Sequence, residues 1–280
     1  MKGIDVSKWQ GKIDWKAVSG DGISFAILRA GFGRLASQKD VCFDQNMTGA
    51  LAAGLPVGVY WYSYATSPAE GIQEAEACLT VLKPWQNRLQ LPVFFDQEYE
   101  PDIKALDDKT RTDICLAFMQ RIEKAGYRTG LYCSYDWYRN WVEGARLSGY
   151  PVWIAQYAST CSYKEKNLIA WQYTSGGKVA GINGNVDLNQ GYEGLIQTHQ
   201  NGWQQQNGSW YYYENGVLLK SRWLKEGGYW YWLGEDGKMA TGWLSREGKF
   251  YWLNPTRAGS LPSGALIITD SNGALMDGPA

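Results

Sequence analysis

The chain has 280 residues, 45% of them hydrophobic and 20% charged, with a formal net charge of −1. That length exceeds the commonest size of one compact core, so one large domain plus a smaller one is expected. There is no Lys/Arg block and no apolar run of about 18 residues, which argues against a nucleic-acid partner and against a membrane span.

Behind Met1-Lys2 the chain enters a strand-like start, Gly3-Ile4-Asp5-Val6, with no charged-then-apolar export leader. Either synthesis in the cytosol without a leader or removal of one is expected. Further strands are predicted at 24–30, 57–63, 91–98, 129–133, 152–156 and 169–173, the first at 3–6. Helices are predicted at 44–53, 68–83 and 107–125. The last of these has an Asp-rich entry, Ile114, Ala117, Phe118 and Ile122 at helical spacing, and a stop at Gly126. Strands alternating with helices predict an α/β fold with a parallel sheet, and this many units favours a closed barrel. The last strands follow one another with little helix between them, so the barrel is expected to be irregular.

Five cysteines, Cys42, Cys78, Cys115, Cys133 and Cys161, are scattered without a CxxC pair and read as buried thiols. The single histidine, His199, lies in the polar stretch 197–201, which reads as a linker. One such histidine supports neither a zinc site with two imidazole ligands nor a Cys/His nucleophile pair. Carboxylates are left to carry the chemistry, and no metal or organic cofactor is expected.

The predicted strand at 91–98 holds Asp96 and Glu98 two positions apart, so on a strand both face the same way. Apolar residues lead into the pair, which places it near the C-terminal end of a buried strand, where barrels carry their active sites. An acid there can be kept protonated by apolar surroundings and a neighbouring negative charge. A solvated strand end with clustered acids fits the same spacing. Asp5, on the first strand, and Asp187, in Gly184-Asn185-Val186-Asp187, could converge with the pair, since the first and last strands of a barrel are neighbours; by spacing alone each also fits a cap or turn. Tyr60, Tyr62, Tyr132, Trp153, Gln156 and Trp171 stand at predicted strand ends as candidate substrate contacts, although aromatic residues on strands more often fill a core.

Beyond residue 200, Gly202-Trp203, Arg222-Trp223 and Gly242-Trp243 recur every 20 residues. Trp210, Trp230 and Phe250 follow seven positions after each tryptophan and open aromatic triplets. Asn215-Gly216 and Asp236-Gly237 stand between the repeats and favour tight turns. This pattern predicts a small all-β module of stacked hairpins, a β-solenoid, with the stretch from Gly264 to Pro279 as its cap.

The motifs Gly3-Ile4-Asp5-Val6-Ser7-Lys8-Trp9-Gln10-Gly11, Phe94-Phe95-Asp96-Gln97-Glu98, Trp153-Ile154-Ala155-Gln156-Tyr157, Trp171-Gln172-Tyr173 and Val186-Asp187-Leu188-Asn189 together resemble glycoside hydrolase family 25, the Chalaropsis-type muramidases, over nearly all of residues 1–192. The resemblance implies a flattened, irregular TIM-like β/α barrel and hydrolysis of the β-1,4 bond between N-acetylmuramic acid and N-acetylglucosamine in peptidoglycan. It implies Glu98 as general acid, Asp96 as its assistant, and Asp5 and Asp187 as the remaining acidic site residues. The segment 202–280 is similar to choline-binding cell-wall repeats, behind a linker at 193–201. Implied cation cages are Trp203 and Trp210 with Tyr231, then Trp223 and Trp230 with Tyr251, for choline of teichoic acids or another wall polymer. The combination resembles a phage endolysin acting extracellularly on the bacterial wall, with a secreted autolysin or a non-catalytic wall-binding protein as alternatives. A monomer, or a dimer formed through the tail, is expected.

Overall fold

The computed structural model describes residues 1–85, 88–196, 202–206, 208–214, 217–246, 248–256 and 261–267. The chain divides into two compact units, Met1–Gln197 and Thr198–Ala280.

In the first unit the elements run β1 (Lys2–Val6), α1 (Trp15–Gly20), β2 (Phe25–Phe32), α2 (Phe43–Ala52), β3 (Val57–Tyr62), α3 (Pro68–Leu82), β4 (Val93–Asp96), α4 (Pro101–Lys104), α5 (Asp108–Lys124), β5 (Thr129–Ser134), α6 (Tyr135–Asn140), α7 (Gly144–Leu147), β6 (Val152–Ala155), β7 (Leu168–Gly177) and β8 (Val186–Gly191). The eight strands close into a barrel in sequence order. Neighbours from β1 to β7 are parallel, while β8 runs antiparallel to both β7 and β1 and closes the ring.

Local chemistry explains the main helices. Ser67 caps α3 by accepting from the Glu70 amide, with Pro68 filling the first turn where its missing N–H costs nothing. Asp107 caps α5 in the same way at Thr110, and Gly126, with φ 88°, ends it. These two helices lie side by side against the outside of the barrel. Alternation along each strand sends one set of side chains outward to the helices, including Val59, Phe95 and Leu131. The other set fills the lumen, with Phe25, Ile27, Phe94, Tyr132 and Trp153 as its apolar floor. Gly3 is required in that floor: a Cβ there would stand 2.3 Å from the Phe25 ring.

Two sequence expectations change. The strand predicted to run through residue 98 ends at Asp96, where the chain begins to leave the sheet. Residues 186–191, read as a possible turn around Asp187, form strand β8 instead. Val186 and Leu188 alternate with Asp187 and Asn189 there, and the polar set is the one that faces inward, because its members are site groups. All five cysteines are unbridged, four of them buried.

The second unit is built of hairpins. Strands β9 (Gly202–Gln206), β10 (Ser209–Glu214) and β11 (Val217–Leu218) form one sheet, β12 (Arg222–Glu226) and β13 (Tyr229–Leu233) the next, and β14 (Gly242–Arg246), β15 (Lys249–Leu253) and β16 (Leu266–Ile267) a third. Between β12 and β13 the turn is Gly227-Gly228, with φ 57° and 86°, a pair of positive values that suits the twist of a two-residue hairpin. Asp236-Gly237 turns the chain between hairpins, and the Asp236 carboxyl accepts from the Lys238 amide. Trp232, Leu253 and Leu266 form the small core of this unit. The Asn215-Gly216 turn, residues 197–201 of the expected linker with His199, and the expected cap from residue 268 onward lie outside the described residues.

Candidate active site

Lumen-facing side chains become polar toward the C-terminal ends of the parallel strands. On β1 the step is from Gly3 to Asp5, on β2 from Ile27 to Arg29, and on β4 from Phe94 to Asp96, with Glu98 just past the strand end. On β8 the inward positions are Asp187 and Asn189, while Val186 and Leu188 pack outward. Register sets Asp187 directly opposite Asp5. Asp96 lies between Tyr62 of β3 and Tyr132 of β5. The four acids singled out in the sequence therefore share one mouth of the barrel.

Asp5 is buried and held by two amides. Its Oδ2 accepts from Asn189 Nδ2 at 2.7 Å and from Gln172 Nε2 at 3.0 Å. The amide orientations are set from behind: Asn189 Oδ1 accepts from the Trp153 indole at 2.8 Å, and Gln172 Oε1 accepts from the hydroxyls of Tyr132 and Tyr157 at 3.0 and 3.2 Å. An indole N–H can only donate, so the Asn189 NH₂ must face Asp5. Despite these donors, burial, the facing Asp187 and the more distant Glu98 hold the Asp5 carboxyl far above the usual carboxylate range. Burial raises Asp187 as well, against the pull of its own backbone amide.

Asp96 is 2% exposed, and its Oδ1 meets no hydrogen-bond partner among the described residues. Burial, then Glu98, then Asp5 push its pKa well up, and Arg29 pulls the other way. Arg29 is itself fixed by the buried Asp40, at 2.7 Å through Nε and 2.6 Å through the terminal nitrogen. Asp40 also accepts from the Lys8 and Cys42 amides, which ties the loops after β1 and β2 to this cation. Glu98 is raised by burial, by Glu100 and by Asp187. It lines an open cavity of about 320 Å³ with Tyr99, Tyr132, Ser134, Ala155, Gln156 and Tyr157.

The expected substrate contacts divide. Tyr60 and Tyr62 share the inward face of β3, and Tyr132 and Gln156 reach the cavity. Trp153 does not: at 1% exposure it is floor, packed under Tyr132 with ring centroids 4.3 Å apart. Trp171 is also corrected, because β7 turns it outward beside Tyr173 and its indole donates to the Gln156 carbonyl, leaving Gln172 to face the lumen. Arg29, Gln172, Asn189 and Tyr99 were missed as site residues. Asn189 carried a usable signal, being two positions from Asp187; Arg29 carried none, since its role depends on a strand 67 positions away.

In the second unit, Trp203, Trp210 and Tyr231 line one cavity of about 560 Å³ together with Glu226, Tyr229 and Met239. Trp203 meets Tyr231 edge to face at 4.7 Å. Trp223 meets Tyr251 in the same manner at 5.0 Å, and Trp230 joins their cluster. In the third hairpin Trp243 and Phe250 are exposed.

Comparison with known proteins follows the first unit. The profile of the Glycosyl hydrolases family 25 matches residues 4–182. Lysozyme M1 of Streptomyces globisporus is 29% identical over 201 residues, which cover 68% of this chain and 67% of that protein. The autolytic lysozyme of Clostridium acetobutylicum is 25% identical over 196 residues, covering 70% of this chain and 57% of that one. The chain thus spans a little over half of the second relative's length. A bacterial lysozyme structure from Streptomyces coelicolor superposes with a TM-score of 0.61 at 27% identity, covering 68% of this chain and 91% of that one.

Proposed function

The chain belongs to glycosyl hydrolases family 25 and is a peptidoglycan hydrolase of the lysozyme class, and from that premise we propose that Glu98 cleaves the β-1,4 bond from N-acetylmuramic acid to N-acetylglucosamine as general acid. The observation that carries this reading is the meeting of Asp5, Asp96, Glu98 and Asp187 at one barrel mouth, with each carboxyl raised. A cluster of this kind cannot ionise fully at neutral pH, so at least one member keeps a proton to give. Glu98 is the member that opens onto the cavity.

Glu98 gives its proton to the glycosidic oxygen, and the N-acetylglucosamine side leaves as an alcohol. The muramic acetamido oxygen closes on C1 as that bond breaks, and the buried, unpartnered Asp96 Oδ1 accepts the acetamido N–H and orients it. Ionised Glu98 then takes a proton from the water that reopens the ring, which regenerates the acid. Asp187 supplies negative potential beside the developing oxocarbenium charge, while Asp5, pushed up to about 8, keeps its proton near neutral pH. Tyr99 and Tyr157 at the cavity edge offer ring faces to the sugars.

The second unit serves as a wall-binding module of stacked hairpins, with the cavity of Trp203, Trp210 and Tyr231 as a cage for a quaternary ammonium such as choline. Aromatic faces suit a cation that has no hydrogen bonds to give. A catalytic barrel joined to such a module fits an endolysin or an autolysin. The test is digestion of a defined peptidoglycan followed by mass spectrometry of the fragments. N-acetylmuramic acid at the new reducing end is expected; N-acetylglucosamine there would overturn the bond assignment.

A further inference from the structure

The two inter-hairpin cages are built on one register but carry opposite charge. Hairpin β12–β13 pairs Glu226 with Tyr229, and hairpin β14–β15 pairs Arg246 with Lys249 at the same step before and after the turn. Glu226 and Tyr229 line the first cage beside Trp203, Trp210 and Tyr231. Shifted by one repeat, the second cage has Trp223, Trp230 and Tyr251, with Arg246 and Lys249 at the places of Glu226 and Tyr229. A third exchange points the same way. Gln205 pairs with Trp210 in the first hairpin, whereas Lys225 pairs with Trp230 in the second.

Two of these cations lie on rings. Lys225 Nζ stands 5.6 Å from the centre of the Trp230 ring, and the Arg246 guanidinium 4.0 Å from that of Trp232, which packs edge-on against Trp223. In the first repeat the position of Trp232 is held by Tyr212, whose hydroxyl meets Glu226. A quaternary ammonium is attracted by negative ring faces and by a nearby carboxylate. It is repelled where Lys225 already sits on the face of Trp230 and Arg246 adds a second positive charge on the adjoining Trp232.

We propose that the second unit holds one quaternary-ammonium site, the cage of Trp203, Trp210 and Tyr231 with Glu226, and that Lys225, Arg246 and Lys249 close the cage of Trp223, Trp230 and Tyr251 to such ligands. This rests on the reading of the module as a binder of quaternary ammonium groups. It replaces two equivalent cages with one, and makes residue 226 the determinant of charge preference.

Titration calorimetry of the full chain with choline chloride tests it. One site per chain is expected. Glu226→Arg is expected to weaken that site by roughly tenfold or more, from reversal of a unit charge beside the ligand. Arg246→Glu combined with Lys249→Tyr gives the second cage the pattern of the first, and a second site is expected to appear. Near-UV circular dichroism of the tryptophans verifies that each variant keeps its hairpin packing. Two sites of equal affinity in the native chain would overturn the inference while leaving the ammonium reading intact. No choline uptake by a native chain that still cleaves peptidoglycan would overturn that reading, and the inference with it.

Discussion

Replacement of Glu98 by glutamine separates catalysis from stability in one variant. The amide keeps the size and much of the polarity of the acid but has no proton to deliver at the glycosidic oxygen. Loss of a positioned general acid costs about 10²–10⁴ in rate, or about 3–5 kcal/mol of barrier. Asp96 cannot take over, since its Oδ1 is engaged by the acetamido N–H rather than aimed at the glycosidic oxygen. Stability should move the other way. Glu98 is raised by burial and by the charges of Glu100 and Asp187, so its proton is bound more tightly in the folded chain than in the unfolded one. Such a group contributes stability that is fully present below its unfolded pKa and is lost as pH rises through the folded value. Glutamine removes that loss, so the variant should match the native chain at low pH and exceed it once pH passes the raised Glu98 pKa. The gain is read as a Tm above that of the native chain over that pH range. Reducing-end release from purified walls and thermal melts across pH read both arms. Native activity should be retained on the acid side and fall as pH rises through the raised Glu98 pKa. Activity within tenfold of native in Glu98→Gln would refute the acid assignment, and a melting point lower at every pH would refute the electrostatic account.

Arg29→Gln leaves Asp40 buried without its cation and removes the one positive charge that restrains Asp96. A loss of about 3–5 kcal/mol in denaturant unfolding is expected, and less than 1 kcal/mol would contradict the lock described above. Gly3→Ala forces a methyl into the Phe25 ring beneath Asp5 and should cost about 1–3 kcal/mol, measured in the same way; an unchanged midpoint would show that the floor can yield. Truncation after Gln197 should leave cleavage of soluble glycan fragments largely intact and weaken retention on walls. Collapse of soluble turnover would mean that the barrel depends on the hairpins.

Much of this protein is written in local pattern. Apolar runs bounded by capped helices announced the first seven strands, and the 20-residue aromatic period announced the hairpins, because both signals are repeated and confined to neighbouring residues. Asp96 could be placed on the lumen face by alternation with Phe94, whereas Glu98, two positions on, lies past the strand end. Strand β8 was legible only in part: Val186-Asp187-Leu188-Asn189 alternates apolar with polar residues, but it is the polar set, Asp187 and Asn189, that faces the lumen, and spacing alone also fitted a turn. Trp153 and Trp171 illustrate the same limit: the residue type invites a sugar-binding role, but the pleat buries one in the floor and turns the other to the outside of the barrel. Barrel closure decided what no stretch of sequence holds. It brought Asp187 across from Asp5 over 182 positions and Arg29 toward Asp96, and it raised four acids together by excluding water from the space they share. Charge interaction and desolvation depend on distance in space, and only the folded chain sets that distance.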